Sequence, residues 1–326
     1  MSGTMNPEAA PLLAVEGVAR RFRMRSFWGE TATVHAVADV SLTLRAGETL
    51  GLVGESGCGK STLGRLIVRL LEPSAGAIRL RGEDIAHAPE RRLRPLRRHL
   101  QMVFQDPYGS LDPRMRAGEI VAEPLRVHRI ARGTELAGRV ESLFRRVGLR
   151  PDQMRNLPRQ FSGGQRQRLA IARALAVAPQ LIVADEPVSA LDVSVQAQVV
   201  NLMVELQQEA GLSYLFIAHD LGIVRHISDR IAVMYLGRIV ESGPAAAVFE
   251  APRHPYTQAL LAAIPAANPR RRLDLAVPAG EVPSPFAPPT GCHFHPRCVF
   301  ARDVCRQEAP AVRQIDPGHS VACHLV

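Results

Sequence analysis

Residues 49–62 read Thr-Leu-Gly-Leu-Val-Gly-Glu-Ser-Gly-Cys-Gly-Lys-Ser-Thr, and this stretch decides the fold. Its first five residues form a short apolar run that is typical of a buried strand. Residues 61–71 follow as a predicted helix, because their apolar side chains recur at the spacing of one buried face. The glycine-rich segment between them matches the complete G-x-x-x-x-G-K-[ST] pattern. This order of strand, loop and helix predicts a loop that binds phosphate.

The residue types of this loop indicate its chemistry. Glycines let the backbone curl so that successive N–H groups point at phosphate oxygens, and the next helix adds its positive end. Lys60 is expected to reach the β- and γ-phosphates of ATP, and the Ser61 hydroxyl to bind Mg²⁺. Lys60 is the only lysine among 40 Lys and Arg residues, which indicates a position where only a compact charge fits. The predicted ATP-binding residues of the loop are Gly54, Glu55, Ser56, Gly57, Cys58, Gly59, Lys60, Ser61 and Thr62.

Two adjacent carboxylates follow another apolar run, in residues 181–187, Leu-Ile-Val-Ala-Asp-Glu-Pro. Asp185 is predicted to hold the Mg²⁺ shell, and Glu186 to polarise the attacking water as a general base. Acidic pairs at strand ends also serve as helix caps. The presence of the phosphate-binding pattern in the same chain favours the catalytic interpretation.

Strands alternate with helices along the chain, which predicts a sheet that is covered by helices on both faces. Residues 106–177 are helical and polar, which indicates an inserted helical subdomain. The predicted fold class is α/β, a P-loop NTPase with a mixed sheet core and a small Cys-rich C-terminal extension. Besides 49–53, strands are predicted at residues 13–18, 36–44, 181–184, 213–218, 231–235 and 238–241, and a further helix at 196–209.

The composition excludes several other classes. The chain has 326 residues, of which 46% are hydrophobic, so it is long enough to bury a sizeable core. It contains no run of 18 apolar residues and no secretory signal pattern at its start, so no membrane span is expected. The formal net charge of +9 is dispersed rather than gathered in one tail, which favours solvated faces over a nucleic-acid surface.

Residues 161–168, Phe-Ser-Gly-Gly-Gln-Arg-Gln-Arg, resemble the signature motif of ABC ATPases. The motif precedes a predicted helix, whose N-terminus would attract an anion. In that family the motif closes over the γ-phosphate that is bound to the partner subunit. The resemblance therefore implies a dimer with two sandwiched ATP molecules. It assigns this contact to Ser162, Gly163, Gly164 and Gln165.

Other short motifs occur in the order that the family requires. Gln105, in Val-Phe-Gln-Asp-Pro, resembles the Q-loop glutamine that touches Mg²⁺ and the water. His219 resembles the switch histidine that contacts the γ-phosphate. Phe22 is proposed to stack on adenine, and a core or surface position for this phenylalanine is an equal alternative. The resemblance thus implies Mg²⁺ ligation by Ser61, Gln105 and Asp185, a hydrolysis-competent site, and a D-loop formed by Ser189, Ala190, Leu191 and Asp192.

Prolines cluster after residue 250, which predicts two domains, an ATP-binding domain at 1–250 and an extension at 251–326. Five segments resemble the ATPases of oligopeptide, dipeptide and nickel importers. The resemblance implies a subunit that powers an importer for di- and oligopeptides, with a nickel or glutathione importer, or a soluble non-transport ABC ATPase, as alternatives. The five segments are residues 106–114, 254–261, 280–285, 291–298 and 321–324.

Four cysteines stand as C-x5-C-x6-C-x17-C near the C-terminus. Thiols stay reduced in the cytoplasm, so disulfides are not expected. Four thiolates suit either tetrahedral Zn²⁺ or an iron–sulfur cluster, and unligated cysteines are the third interpretation. The family resemblance favours a [4Fe–4S] cluster over Zn²⁺. The predicted ligands are Cys292, Cys298, Cys305 and Cys323, while His293, His295 and His324 are expected to form local hydrogen bonds.

The resemblance also implies the partners. They are membrane permease subunits, a second ABC ATPase chain of different sequence and, indirectly, an extracytoplasmic substrate-binding protein. No nucleic-acid partner is expected. The expected location is the cytoplasmic face of the cell membrane, where the chain would be held peripherally by the permease.

Overall fold

The computed structural model describes residues 10–25, 31–263 and 281–326, without the side chains of residues 24, 25, 31, 32 and 107. Residues 1–9, 26–30 and 264–280 of the two predicted domains, including Gly280 of the segment at 280–285, lie outside the described residues. The chain forms two compact units. The first unit comprises Met1–Arg45, Thr49–His87 and Ala218–Val326, and the second comprises Ala46–Glu48 and Ala88–Ile217.

Twelve strands occur in the described ranges. They are β1 (Leu13–Arg25), β2 (Thr31–Leu44), β3 (Thr49–Val53), β4 (Ala75–Leu80), β5 (Glu83–Asp84), β6 (Leu100–Val103), β7 (Leu181–Asp185), β8 (Ser213–Ile217), β9 (Arg230–Tyr235), β10 (Arg238–Pro244), β11 (Arg313–Asp316) and β12 (His319–Val321).

The same ranges contain eleven α-helices and three short 3₁₀ turns. The helices are α1 (Lys60–Ile67), α2 (Glu90–Leu96), α3 (Pro107–Ser110), α4 (Ala117–Val127), α5 (Gly133–Arg146), α6 (Gly163–Leu175), α7 (Val193–Ala210), α8 (Leu221–Ile227), α9 (Ala245–Glu250), α10 (Pro255–Ala262) and α11 (Asp303–Gln307). The turns are Pro151–Arg155, Pro158–Gln160 and His295–Arg297.

The first unit contains two groups of paired strands. The order β2-β1-β4-β5 forms an antiparallel sheet, in which Leu13 of β1 lies opposite Leu44 of β2. In the second group the order is β11-β12-β10-β9-β3, and only β3 and β9 run parallel, with Val53 opposite Val233. Every residue of β3 is buried, as expected for a parallel strand that is covered on both faces.

The second unit contains the parallel strands β8, β7 and β6, in this order. All residues of β7 and β8 are buried, which explains their nearly continuous apolar sequences. Helix α4 contacts α5 and α6 and buries Ile120, Val121 and Leu125 on one face. The four helices α3 to α6 lie between residues 107 and 175, inside the range that the sequence assigns to a helical subdomain.

The predicted helix at 61–71 was wrong at its C-terminal end. Helix α1 ends at Ile67, and Val68 is its C-cap residue. Arg69 then takes a left-handed backbone conformation with φ of 56°. The leucines that follow keep the helical spacing, so periodicity alone could not mark this end. Leu70 is in consequence 51% exposed, although the helical pattern placed it on the buried face.

A buried carboxylate ties the C-terminal region to β10. Glu241 accepts hydrogen bonds from the backbone N–H groups of Arg253 and His254, both at 2.9 Å, and its Oε1 lies 2.8 Å from His319 Nε2. His254 Nδ1 caps α10 by accepting from the N–H of Tyr256 at 3.0 Å. Burial lowers the pKa of His254 to about 4, which keeps this ring neutral and able to accept.

Candidate nucleotide-binding site

The loop between β3 and α1 has a backbone that requires glycine at two positions. Gly54 and Gly59 have φ values of 153° and 108°, in the region that favours glycine. A Cβ atom at Gly54 would lie 2.1 Å from the carbonyl oxygen of Met234. A Cβ at Gly59 would lie 2.1 Å from the carbonyl oxygen of Ala36. The glycine pattern in the sequence therefore corresponds to close backbone approaches on both sides of the loop.

The loop holds the only lysine of the chain in its interior. Lys60 is 4% exposed, and its Nζ donates hydrogen bonds to the carbonyl oxygens of Gly54 at 2.7 Å and Glu55 at 2.9 Å. Burial raises the pKa of the neighbouring Cys58 thiol, although the positive charge of Lys60 opposes that increase. Ser61 and Thr62 follow in the first turn of α1. The arrangement positions a compact cation at the start of a helix, as the sequence predicts for phosphate binding.

In the second unit, Asp185 and Glu186 lie at the end of β7. Asp185 is 2% exposed. Glu186 has φ of 46°, a left-handed conformation that is strained for a residue with a side chain. Its N–H donates to the carbonyl oxygen of Ile217 at 2.9 Å, and its own carbonyl accepts from Ser189 Oγ at 3.1 Å. These bonds hold the Glu186 backbone in the strained conformation, a pattern that clusters at functional sites.

Gln105 and Glu186 are brought together although 81 positions separate them. Gln105 Nε2 donates a hydrogen bond to Glu186 Oε2 at 3.0 Å. The amide therefore fixes one carboxylate oxygen of the predicted general base. The two residues come from different elements, since Gln105 follows β6 and Glu186 follows β7, and these strands are parallel neighbours.

The signature segment forms the start of α6, also in the second unit. Ser162 Oγ accepts from the N–H of Gln165 at 3.3 Å, and Gln165 Oε1 accepts from the N–H of Ser162 at 3.0 Å. This reciprocal pair is a capping box. A Cβ at Gly163 would lie 3.2 Å from Leu191, which brings the signature segment and the predicted D-loop (residues 189–192) together. Gly164 is packed more tightly, because its Cβ would lie 2.3 Å from Val195 of α7.

His219 and Phe22 belong to the first unit, like the phosphate loop. His219 follows Ala218, whose N–H donates to the carbonyl oxygen of Leu52 in β3 at 3.2 Å, so it lies near the strand that enters the loop. Phe22 lies in β1 opposite Val34, and the guanidinium of Arg20 lies 4.7 Å from its ring centroid. Arg20 thus contacts one face of the ring, and the proposed adenine contact of Phe22 stays a prediction.

Two residues that sequence reasoning did not select contact the loop from the C-terminal region. Arg297 forms a bidentate pair with the carboxylate of Glu55, at 2.8 and 3.0 Å. Tyr256 Oη accepts a hydrogen bond from the N–H of Glu55 at 2.8 Å. Both residues stand in segments that the sequence singles out only by family resemblance. No local spacing links them to Glu55, from which they are 242 and 201 positions distant.

The predicted metal centre is not confirmed. Burial raises the pKa values of Cys292, Cys298 and Cys323, and the charge of Cys305 raises each of them further. Within residues 10–25, 31–263 and 281–326, however, no group of three or more His, Cys, Asp or Glu side chains could hold a metal ion. His295 Nδ1 lies 2.9 Å from the carbonyl oxygen of Cys292, a local contact, whereas His293 Nδ1 and His324 Nε2 lie near the carbonyl oxygens of Leu236 and Glu308, which are distant in sequence.

The part of the chain that the structure describes contains no helix that is both long and apolar enough to cross a membrane.

Comparison with known proteins identifies the family. Residues 37–189 match the ABC transporter family, and residues 240–305 match the C-terminal region of oligopeptide/dipeptide transporters. A probable peptide ABC transporter ATP-binding protein of Sinorhizobium fredii is 52% identical over 96% of this chain and 90% of its own length. The oligopeptide transport ATP-binding protein AppF of Bacillus subtilis is 50% identical, over 96% of this chain and 97% of that protein.

Solved structures agree with the fold. The ATP-binding cassette MJ0796, in a dimeric post-hydrolysis state bound to ADP and Pi, has a TM-score of 0.64 and 29% identity, covering 72% of this chain and 98% of that one. The cbiO1 protein of Clostridium perfringens has a TM-score of 0.63 and 28% identity, covering 74% and 91%. The predicted family and α/β fold class are thus confirmed. The chain belongs to the family of ABC transporter ATP-binding proteins, within the group that carries the oligopeptide/dipeptide transporter C-terminal region.

Proposed function

We propose that this chain binds and hydrolyses Mg·ATP to power an ABC importer of di- and oligopeptides. The observation that carries the proposal is the match of residues 240–305 to the oligopeptide/dipeptide transporter C-terminal region, in a chain with an intact phosphate loop. The names of its relatives, which describe peptide and oligopeptide transport, support the same cargo. A nickel or glutathione importer is the alternative for cargo, and a soluble ABC ATPase the alternative for role.

ATP binding is assigned to the loop at 54–62, with Lys60 on the β- and γ-phosphates. The donor set Ser61, Gln105 and Asp185 consists of hydroxyl, amide and carboxylate oxygens, which fit Mg²⁺. When bound, Mg²⁺ would neutralise part of the phosphate charge that develops during transfer. Phe22 is proposed for the adenine.

Hydrolysis is assigned to Glu186 as general base. A water oxygen attacks the γ-phosphorus, its proton passes to Glu186 Oε, and the bond to the bridging oxygen breaks so that ADP leaves with the electron pair. The hydrogen bond from Gln105 to Glu186 supports this role, because it holds one carboxylate oxygen in place. His219 is proposed to contact the γ-phosphate.

The working unit is proposed to be a dimer of ATP-binding chains. Residues 162–165 would close over the ATP of the partner subunit, and residues 189–192 would link the two sites. The capped start of α6, where Ser162 and Gln165 exchange hydrogen bonds, supports the first role because it presents ordered backbone N–H groups. The second chain is proposed to be a different ATP-binding subunit, so a stable homodimer that bears the permease would count against this point.

The dimer is proposed to sit on the cytoplasmic face of the membrane, held there by permease subunits. Short helices of the permease would dock beside the Gln105 segment and the helical subdomain at 106–177. Closure of the dimer on ATP and its opening after phosphate release would drive alternating access. An extracytoplasmic binding protein would deliver the cargo to the permease, and no nucleic acid takes part.

Purification of a tagged Glu186→Gln chain with ATP from detergent-solubilised membranes tests this function. We expect a polytopic permease and a second ATP-binding chain to co-purify with this variant. The same complex prepared with the wild-type chain and placed in vesicles should take up labelled peptides when ATP is supplied, whereas the Glu186→Gln complex should not. Lys60→Ala, which removes the phosphate-binding charge, is the matched control and should abolish uptake. Uptake of Ni²⁺ or glutathione without uptake of peptide would overturn the assignment of peptides as the cargo. Recovery of ribosomes, DNA or no partner would overturn the role in transport.

We propose further that the four C-terminal cysteines bind a metal centre, with a [4Fe–4S] cluster ahead of Zn²⁺. The N–H of Cys292 donates to the carbonyl oxygen of Cys305 at 2.8 Å, and the charge of Cys305 raises the pKa of each of the other three thiols, which supports the proposal. The proposed hydrolysis of ATP does not involve this centre.

Anaerobic purification followed by metal analysis tests the centre. We expect about four iron atoms per chain and the visible absorption of a cluster, and loss of both in Cys298→Ser. Cys58→Ser is the matched control, since Cys58 belongs to the phosphate loop and should leave the iron content unchanged. About one zinc atom per chain would show that the site holds Zn²⁺ instead of a cluster, and absence of both metals would overturn the proposal.

A further inference from the structure

Glu55, the second residue of the phosphate loop, is held by two side chains of the C-terminal region. Arg297 Nη1 and Nη2 donate to its two carboxylate oxygens, and Tyr256 Oη accepts from its backbone N–H. One contact therefore fixes the side chain and the other fixes the peptide. Because Tyr256 takes this N–H, the direction of the peptide that joins Gly54 to Glu55 is also set.

The Arg297–Glu55 pair is partly buried. The Arg297 side chain is 9% exposed and that of Glu55 27% exposed. Bidentate charge-assisted pairs are more directional than single contacts, and partial burial reduces the loss of strength that exposed pairs undergo. The hydrogen bonds to Glu55 are the largest cause that raises the pKa of Arg297 above its ordinary value. The planar fork of arginine is needed for this geometry, since a lysine offers only a point charge.

A rigid support presents Arg297 to the loop. Phe294, three residues earlier, is 2% exposed, and its ring centroid lies 5.3 Å from that of Tyr235 and 5.4 Å from that of Tyr256. The N–H of Arg297 donates to the carbonyl oxygen of Phe294 at 3.0 Å, which closes the turn. Tyr235 ends β9, the parallel neighbour of β3. The aromatic cluster thus anchors the arginine to the strand that lies beside the entry to the loop.

Glu55 connects this anchor to Lys60. The carbonyl oxygen of Glu55 accepts from Lys60 Nζ at 2.9 Å and from the N–H of Cys58 at 3.3 Å. A shift of the Glu55 peptide would therefore move an acceptor of the phosphate-binding ammonium. The Glu55 carboxylate, if unpaired, would also place a negative charge in the same loop as the triphosphate.

We propose that Arg297 and Tyr256 are positioning residues for ATP: they hold Glu55 in the loop, and Arg297 neutralises a carboxylate that would otherwise repel the phosphates. The C-terminal region thereby contributes to nucleotide affinity as well as to the identity of the transporter. This inference rests on the assignment of residues 54–62 as the nucleotide loop and is independent of the cargo.

Titration of the full chain with Mg·ATP, combined with steady-state kinetics, tests the proposal. We expect Arg297→Met to raise the Kd for ATP about tenfold, with kcat at saturating ATP within about twofold of wild type. The double variant Glu55→Gln/Arg297→Met should return to within about threefold of wild type, because it removes the uncompensated charge. Tyr256→Phe, which deletes the acceptor for the Glu55 N–H, should weaken binding about threefold.

Arg306→Met is the matched control, because it removes an exposed arginine of the same region and should leave the Kd unchanged. An unchanged Kd in Arg297→Met, or equal weakening in the single and double variants, would overturn the proposal. If Arg297→Met does not fold, as checked by thermal melting, Tyr256→Phe still tests the positioning of Glu55, and an unchanged Kd in Tyr256→Phe would then overturn the proposal. Failure of the wild-type chain to bind ATP would instead overturn the nucleotide loop itself.

Discussion

Replacement of Glu186 by Gln is expected to lower ATP turnover by about 10²–10⁴-fold while ATP still binds. The amide keeps the size of the side chain and a hydrogen-bonding oxygen for Gln105, but it cannot take a proton from the attacking water. Because Glu186 already lies in a strained backbone conformation that its neighbours hold in place, the substitution should not disturb the end of β7. Phosphate release at saturating ATP and equilibrium ATP binding are the two measurements.

Glu205→Gln is the matched control for this experiment, since Glu205 is exposed on α7 of the same unit. It should retain wild-type turnover and wild-type ATP affinity. Near-normal turnover in Glu186→Gln would remove the general-base assignment. Loss of ATP binding in the same variant would show that the carboxylate contributes to the nucleotide site rather than to proton transfer.

Replacement of Gly59 by Ala is expected to abolish ATP binding at micromolar to millimolar ATP concentrations. It is also expected to lower the free energy of unfolding by about 3 kcal/mol. The new Cβ would lie 2.1 Å from the carbonyl oxygen of Ala36, and the φ of 108° is unfavourable for any side chain. Relief of this overlap must move the residue that directly precedes Lys60. Equilibrium ATP binding and denaturant unfolding measure the two effects.

Gly57→Ala separates the two causes of the Gly59 effect. Gly57 also has a positive φ, 79°, but a Cβ there would meet no atom within 4 Å. Gly57→Ala should therefore cost about 1–2 kcal/mol through backbone strain alone and keep much of the ATP affinity. Equal losses in both variants would mean that strain, and not the close approach to Ala36, makes glycine necessary at position 59.

Much of the fold was predictable because its signals are local. Strands β3, β7 and β8 are completely buried, so their short apolar runs identify them directly. The strained turns of the phosphate loop leave a pattern of glycines at fixed spacing. In contrast, β1 extends to Arg25, well past the predicted end at residue 18, because an antiparallel strand with an exposed face accepts alternating arginines.

The support of the loop was not predictable, because it depends on contacts between distant parts of the chain. Arg297 and Glu55 are 242 positions apart, and neither residue type indicates a partner. The bond from Gln105 to Glu186 depends on the parallel pairing of β6 and β7, which no periodicity specifies. The left-handed conformation of Glu186 is likewise invisible in sequence, since it is imposed by neighbours on a residue that ordinarily avoids it.

Because Lys60 is the only lysine of this chain, cleavage after lysine can report on opening of the phosphate loop. A protease that cuts only after lysine has a single target in this sequence, the peptide bond between Lys60 and Ser61. That bond lies in the first turn of α1, and the Lys60 side chain is 4% exposed, so cleavage requires local opening of the loop. Each cut chain would therefore record one opening of the phosphate loop, and a bound nucleotide that keeps the loop closed would slow the digestion.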